Sequence, residues 1–174
     1  MKIAIIGSPG SGKSTLAAKL HKILNIPLFH LDQYFWKPGW QLPDLVGFKK
    51  IHHQLCDAPE WIIEGMATWL FDYRAEEADI IIFIDMPRYL CFYRIFKRAF
   101  FNFGKVFFSS APGCPERFPS REFLRYIWIF DKRQRPLIKE ILGWYENDPK
   151  KKVFVVKNTQ EINALIEKFK SKNV

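Results

Sequence analysis

The chain has 174 residues and a formal net charge of +9, with 48% hydrophobic and 26% charged residues. This is the length of one domain, and the composition excludes a disordered tail, a collagen-like repeat and a low-complexity linker. All of the excess positive charge lies in residues 88–139, which hold twelve Lys or Arg against three Asp or Glu, so the rest of the chain is neutral.

Five short apolar runs, separated by helical patterns, predict the strands of one sheet. They lie at residues 3–6, about 28–31, 61–64, 80–84 and 153–156. Runs that do not alternate with polar residues are typical of strands buried on both faces, as in a parallel sheet covered by helices. The sequence therefore predicts an α/β fold.

The predicted helices lie between these runs. One follows the first strand, with Leu16, Leu20 and Leu24 in a helical pattern, and two more span about 88–101 and 121–145. Pro136 is expected to kink or break the last of these. After the fifth strand, Asn158 and Glu161 have the spacing of a capping box that starts a final helix.

The strongest motif is a phosphate-binding loop between the first strand and the first helix. Residues 7–14 match G-x-x-x-x-G-K-[ST] in full, in the strand–loop–helix setting that the motif requires. Glycines let backbone N–H groups surround phosphate oxygens, the lysine reaches the β- and γ-phosphates, and the hydroxyl can bind Mg²⁺. The predicted nucleotide-binding residues are Gly7, Ser8, Pro9, Gly10, Ser11, Gly12, Lys13, Ser14 and Thr15.

Other features narrow the class of phosphate-loop protein. The chain contains no Asn-Lys-x-Asp segment for reading guanine, which disfavours a GTPase, and 174 residues leave little room for motor machinery. A compact phosphotransferase remains.

Three cysteines are too few and too widely spaced for a disulfide framework or a zinc knuckle. No apolar run approaches the ~20 residues of a membrane helix, and the N-terminus is unlike a signal peptide. These features predict a soluble, cytoplasmic protein without a membrane partner.

Several further segments resemble the bacterial DNA topology modulation protein family, which is itself similar to adenylate kinases. They are His30-Leu31-Asp32, Phe35 to Trp40, Trp61 to Gly65, Ala78 to Asp85 and Gly113 to Phe118. The resemblance implies a three-layer P-loop NTPase fold with a five-stranded parallel sheet in the order 2-3-1-4-5. It also implies one domain over residues 1–174, an acceptor-binding insertion at about 33–58 and a basic helical lid at about 94–135.

The resemblance also suggests roles for individual residues. Arg94, Arg98, Arg133 and Arg135 are candidate lid arginines, which would act with Lys13 on the transferring phosphoryl group. For each arginine the alternative is a solvated surface charge. Asp32 would orient the acceptor or hold Mg²⁺ through water. Related kinases often have Asp-x-Asp where this chain has His30-x-Asp32.

Candidates for substrate binding follow from the same resemblance. Glu64 stands where the family more often has aspartate, and it is a second candidate for holding Mg²⁺ through water, with Ser14 as the direct ligand. Trp36 and Trp40 would stack on a flat acceptor, or they simply pack. Arg74 would pair with an acceptor phosphate, and Asn158 lies in the predicted adenine-binding loop.

Two further positions have structural interpretations. Asp85 either acts like a Walker-B carboxylate or caps the helix near Arg88. His52 and His53 are expected to form a surface pair, since no partner lies at metal-ligand spacing.

Two functions from different classes fit these residues. The first is an ATP- and Mg²⁺-dependent kinase that acts on a small molecule or a nucleotide, with an unidentified acceptor. The alternative is a nucleotide-regulated DNA-binding protein that affects DNA topology, with residues 88–139 giving at least weak nucleic-acid binding. The sequence does not distinguish ATP from GTP and does not predict the oligomeric state.

Overall fold

The computed structural model describes residues 1–171, so the last three residues of the predicted domain lie outside the described part. Its centre is one five-stranded parallel sheet in the order β2-β3-β1-β4-β5, which confirms the predicted order. The strands are β1 (Lys2–Gly7), β2 (Leu28–His30), β3 (Trp61–Glu64), β4 (Ile80–Ile84) and β5 (Lys152–Val156).

Helices cover both faces of the sheet. They are α1 (Lys13–Leu24), α2 (Leu31–Phe35), α3 (Leu45–Cys56), α4 (Phe71–Glu77), α5 (Arg88–Phe101), α6 (Arg121–Tyr145) and α7 (Thr159–Lys170), with a 3₁₀-helix at Thr68–Leu70 before α4. Within the described residues, no helix combines the length and apolarity needed to cross a bilayer.

The alternation of side chains along each strand divides the core in two. Ile3 and Ile5 of β1 face a cluster with α1, α5 and α7, whereas Ala4 and Ile6 face a cluster with α3, α4 and α6. All four residues are fully buried. Burial on both faces explains the unalternating apolar runs and gives the predicted three-layer α/β architecture.

The strands end together at one edge of the sheet. In the parallel register His30 pairs with Glu64, Glu64 with Ile5, and Gly7 with Ile84. Ligands of open α/β sheets bind outside the carboxyl ends of the strands. This edge therefore brings the phosphate loop, the end of β2 and the end of β3 into one place.

α6 continues across Pro136 from Arg121 to Tyr145, so the helix is not broken there, and the predicted kink stays a prediction. Proline removes one backbone donor from the helix. Phe130 before the proline and Ile138 and Leu142 after it are buried in the same core cluster. Packing on both sides of the proline supports the continuous helix.

The expected surface pair of histidines is half wrong. Phe48, His52 and Cys56 are spaced four residues apart on α3 and form its buried face, so His52 is fully buried. Burial, together with the charges of Arg74 and His53, lowers the pKa of His52 to about 3, and the ring is neutral at physiological pH. His53 stacks on Tyr73 with ring centroids 3.9 Å apart.

Candidate active site

The phosphate loop lies between β1 and α1 and takes a backbone path that needs glycine. Gly10 and Gly12 have φ angles of 78° and 104°, in the region that L-residues avoid. A Cβ at Gly10 would come within 2.6 Å of the Cys91 carbonyl oxygen of α5. The helix that follows has no side-chain cap and no acidic residue in its first turn. Its first N–H groups and its dipole are thus available to an anion.

Lys13 is the first residue of α1 and lies almost entirely inside the site. Its ammonium group donates to the Ser8 carbonyl oxygen at 3.0 Å, and 9% of the residue is exposed. Burial lowers the pKa of Lys13, while the negative charges of Glu64 and Asp32 act in the opposite direction. These carboxylates keep a positive charge in a desolvated position, where it interacts strongly with phosphate.

Glu64 connects the phosphate loop with the neighbouring strand β2. The Ser14 hydroxyl donates to Glu64 Oε1 at 2.9 Å, and His30 Nδ1 lies 2.6 Å from the same oxygen. Because an ionised carboxylate only accepts hydrogen bonds, Nδ1 is the donor. Burial alone would raise the pKa of Glu64, but the His30 hydrogen bond and the charge of Lys13 outweigh burial and lower it. Glu64 is thus held ionised and in a fixed orientation.

Asp32 lies in the first turn of α2, just beyond the end of β2. Its side chain is exposed at the surface of the site, yet protein atoms surround it closely enough to remove much of its hydration. This desolvation and the charge of Glu64 raise the pKa of Asp32 to about 6, although Lys13, Arg98 and His30 oppose the shift. A carboxylate with such a pKa can accept and release a proton near neutral pH.

The raised pKa of Asp32 predicts that Asp32→Asn stabilises the free protein at neutral pH. The ordinary value is 3.8 and the folded value about 6, so the stability associated with this group is fully present below pH ~4 and is lost as the pH rises through 6. Asparagine carries no charge to desolvate. We expect the melting temperature of the variant to exceed that of the wild type at pH 7.5, with the difference vanishing near pH 4. A pH-independent difference would contradict this origin.

The four candidate lid arginines have different surroundings. Arg94 Nη1 donates to the Ser11 carbonyl oxygen at 2.8 Å, and Arg94 Nη2 donates to Thr159 Oγ1 at 3.3 Å. Arg98 forms an ion pair with the buried Glu116 at 2.9 Å. Two of the four, Arg94 and Arg98, therefore lie on the side of α5 that faces the site. Arg94 contacts the phosphate loop, and the positive charge of Arg98 acts to lower the pKa of Asp32.

The other two arginines lie on α6. Arg135 forms ion pairs with Asp85 at 2.7 Å and with Asp131 at 3.1 Å, whereas Arg133 is exposed. Asp85 is thus engaged with α6. It does not cap α5, whose first turn has no side-chain cap.

The aromatic segment after α2 meets the segment between α5 and α6. Trp36 and Trp40 pack edge to face with centroids 5.6 Å apart, and Trp40 Nε1 donates to the Pro115 carbonyl oxygen at 2.9 Å. The backbone N–H of Gly39 donates to the Gly113 carbonyl oxygen at 2.8 Å. The predicted acceptor insertion and the predicted lid therefore touch each other.

Arg74 and Asn158 are placed differently from what their suggested roles require. Arg74 is fully buried and donates to the Gly65 carbonyl oxygen at 3.2 Å, which argues against direct contact with a substrate. The Asn158 side chain accepts from the Glu161 N–H at 2.9 Å and donates to the Glu161 carboxylate at 2.6 Å. The capping box is confirmed, and these bonds leave the Asn158 side chain occupied at the start of α7.

Two neighbours of the site were missed by sequence reasoning. Tyr126 of α6 has its pKa raised to about 12 by burial and by the charge of Asp32, so it is protonated at neutral pH. Nothing in the spacing of α6 separates Tyr126 from its many other aromatics. The His30–Glu64 contact did have a signal, since both residues end adjacent strands, but that adjacency depends on the strand order.

Comparisons with known proteins agree with this architecture. No family model matches the chain. An uncharacterized protein of Bacillus subtilis (strain 168), YqaC, is 27% identical over 135 residues, which is 74% of this chain and 72% of that protein. The chain also superimposes on a shikimate kinase from Acinetobacter baumannii, solved in complex with shikimate, with a TM-score of 0.61 and 15% identity, covering 96% of this chain and 89% of that one.

A deoxyadenosine kinase from M. mycoides gives a TM-score of 0.53 at 19% identity, covering 99% of this chain and 100% of that one. The sheet order, the phosphate loop and these superpositions agree. The chain has the P-loop kinase fold. At these identities the likeness extends to the fold, and the reaction has to be argued from the site itself.

Proposed function

We propose that this protein is an ATP-dependent phosphotransferase that moves the γ-phosphoryl group of ATP to a small hydroxyl-bearing acceptor. One observation carries the proposal. A desolvated lysine, an ionised carboxylate hydrogen-bonded to the Ser14 hydroxyl, and an aspartate with a pKa of about 6 meet beside an uncapped helix N-terminus. Phosphoryl transfer needs these elements together: a phosphate cradle, charge neutralisation and a group that handles the acceptor proton.

Each group at the site has a separate role in the proposed transfer. The phosphate loop and the first N–H groups of α1 hold the phosphates, and Lys13 neutralises charge on the oxygens of the γ-phosphoryl group. Asp32 accepts the proton of the acceptor hydroxyl. The acceptor oxygen bonds to the γ-phosphorus as the bond to the oxygen bridging the β- and γ-phosphates breaks, which leaves ADP and the phosphorylated acceptor.

The donor set suits Mg²⁺, because the Ser14 hydroxyl and the Glu64 and Asp32 carboxylates are all hard oxygen ligands. Ser14 would hold the ion directly, and Glu64 or Asp32 would hold it through water. When bound, Mg²⁺ neutralises negative charge on the phosphates and helps to orient them. His30 keeps the Glu64 carboxylate in the orientation that this role requires.

Arg94 and Arg98 support the positive side of the site. Both lie on the side of α5 that meets the phosphate loop, and Arg94 already contacts its backbone. Arg98 is paired with Glu116 and Arg135 with Asp85, so these two would act on phosphate only after exchanging partners. This exchange is compatible with a lid that closes on substrate.

Trp36, Trp40 and the segment that contacts them would shape the acceptor site. The structural neighbours include kinases named for shikimate and deoxyadenosine, which support a small acceptor with a hydroxyl group. Membership of the DNA topology modulation protein family, suggested by the motifs, remains part of this proposal.

The direct test is acceptor-stimulated ADP formation. Purified protein with ATP and Mg²⁺ is assayed against nucleosides, nucleotides, sugars and hydroxy acids, and GTP replaces ATP in a parallel series. We expect at least one acceptor to raise ADP formation well above the rate without acceptor. Failure of a broad panel to do so would count against the enzyme.

Glu64→Gln tests the metal site through binding rather than turnover. The amide keeps the size of the side chain but removes its negative charge, so the benefit of Mg²⁺ to nucleotide binding is expected to fall by about 10- to 100-fold. The measurement is ATP affinity by calorimetry with Mg²⁺ and with EDTA. Affinity in EDTA should change much less, and an equal loss in both would indicate a general disturbance of the loop. Glu60→Gln, at an exposed position just before β3, is the matched control.

The DNA-binding alternative is not favoured. Arg94, Arg98 and Arg135, three of the cations behind it, contact protein groups at the nucleotide-binding edge. The remaining exposed cations of residues 88–139 account for general attraction to polyanions without a dedicated site.

A further inference from the structure

The side of α5 that points away from the site carries a row of exposed aromatic rings. Tyr89, Tyr93, Phe96 and Phe100 are 74%, 60%, 43% and 70% exposed. Their spacing of four, three and four residues places them within about 60° of arc on the helix surface. We call these four residues the aromatic face of α5.

The opposite side of α5 already has a role in the fold. Cys91, Ile95 and Ala99 are buried in the core, and Arg94 contacts the phosphate loop. The aromatic face is therefore not needed for the packing of α5. Isolated exposed apolar residues are ordinary, but a contiguous exposed patch marks an interaction surface.

The patch continues beyond the helix in two directions. At and beyond its C-terminal end, Phe101, Phe103 and Val106 are all more than half exposed. Alongside, Trp128 of α6 is 58% exposed and packs against Phe92, with ring centroids 6.3 Å apart. The surface thus spans α5, part of α6 and the segment between them.

Cations border this surface, and one of them, Arg88, also lies 4.0 Å from Asp131. Lys97 Nζ lies 5.8 Å from the centre of the Tyr93 ring, Arg88 lies 4.3 Å from that of Trp128, and Lys105 is exposed among the phenylalanines. Of the three acidic residues between 88 and 139, Glu116 pairs with Arg98 and Asp131 with Arg135. Only Glu122 is left without an ion pair among the described residues.

We propose that this surface binds peripherally to a bilayer that contains anionic lipid. Exposed Tyr, Trp and Phe side chains favour the interfacial region, and neighbouring Lys and Arg favour anionic headgroups. A second copy of the chain fits less well, because pairing would bring two cationic surfaces together. Single-stranded nucleic acid also binds exposed rings and cations, and the oligonucleotide competition below distinguishes it from the bilayer.

The proposal concerns a peripheral contact, which needs no spanning helix. The aromatic face and the arginines at the phosphate loop lie on different sides of α5. Phe108, by contrast, packs on His30 with ring centroids 5.5 Å apart and lies outside the proposed surface. The proposal does not rest on the proposed catalytic activity.

Co-sedimentation with vesicles tests the proposal. Wild-type protein is mixed with vesicles of phosphatidylcholine alone or of phosphatidylcholine and phosphatidylglycerol, at low and moderate salt. We expect binding to the mixed vesicles and much weaker binding to phosphatidylcholine. The double variant Phe96→Ser/Phe100→Ser should bind at least about tenfold more weakly, because it lacks two aromatic side chains that would become buried in the bilayer interface. Lys97→Glu/Lys105→Glu should weaken binding by a similar factor.

Trp144→Ser is the matched control, since Trp144 is an aromatic residue, 59% exposed, near the end of α6, where Ile141 and Leu142 pack on the other face of the sheet. It should bind vesicles like the wild type, and all variants should keep the wild-type melting temperature and ATP affinity. No preference for anionic vesicles would overturn the proposal. A dimer seen by sedimentation velocity and abolished only by the Phe96→Ser/Phe100→Ser variant would also overturn it, by showing that a second copy covers the surface. An oligonucleotide that displaces the wild-type protein from vesicles, and binds the Phe96→Ser/Phe100→Ser variant more weakly, would overturn it in favour of nucleic acid.

Discussion

Lys13→Ala is expected to reduce acceptor-dependent phosphoryl transfer by about 10³-fold or more, because it removes a preorganised charge at the phosphoryl group. The side chain is buried, donates to the Ser8 carbonyl oxygen and interacts with the charges of Glu64 and Asp32. Water that fills its place cannot stabilise the phosphate charge to the same extent. The rate is measured as ADP formation at saturating acceptor, and ATP affinity is measured separately. A large loss of rate with a smaller loss of affinity indicates that the charge acts mainly in the transition state.

Lys19→Ala is the control for this substitution. Lys19 lies on the same helix and is exposed, so it has the same charge and helix propensity without access to the loop. It should keep close to wild-type activity. Removing Lys13 also frees a buried carbonyl oxygen, and melting curves for both variants separate any loss of stability from the loss of rate. A Lys13→Ala protein that folds and turns over normally would contradict the mechanism.

Asp32→Asn is expected to reduce kcat by about 10²- to 10⁴-fold, the range for loss of a general base. The substitution keeps the shape of the side chain but removes its ability to accept the acceptor proton. Because the pKa of Asp32 is about 6, kcat/KM of the wild type should rise as the pH increases through 6 and level off above it. The residual activity of the variant should lack this limb of the profile.

Asp72→Asn provides the comparison, since Asp72 is exposed in the first turn of α4. Its pH profile should match that of the wild type. The same Asp32→Asn protein is expected to melt at a higher temperature at neutral pH, so lost activity with retained stability would exclude misfolding as the cause. A variant that keeps the limb near pH 6 would show that another group accepts the proton.

Local sequence signals were enough to predict the α/β fold class and the phosphate loop. Apolar runs located all five strands, because β1, β3 and β4 are buried on both faces and β5 is apolar although partly exposed. The loop motif carries its own spacing. The strand order came from a resemblance to a known family. Periodicity alone does not specify which strands are neighbours.

The remainder of the site depends on contacts between distant parts of the chain. His30 and Glu64 are 34 residues apart, and Trp40 and Pro115 are 75 apart. Arg74 illustrates the limit: the family resemblance suggested an acceptor contact, but packing of α4 places it fully inside the core. The partners of Arg98 and Arg135 likewise depend on how the α5–α6 segment folds, which no local pattern reports.

In the proposed reaction the γ-phosphoryl group passes to an acceptor rather than to water. The most direct measurement uses ATP labelled with ³²P at the γ position, Mg²⁺ and the acceptor that best stimulates ADP formation, and follows the label by chromatography. We expect wild-type protein to place the label on the acceptor, with as much labelled product as ADP, and Lys13→Ala to give almost none. Label found only as inorganic phosphate, or equal transfer by Lys13→Ala, would contradict the proposed phosphotransferase reaction.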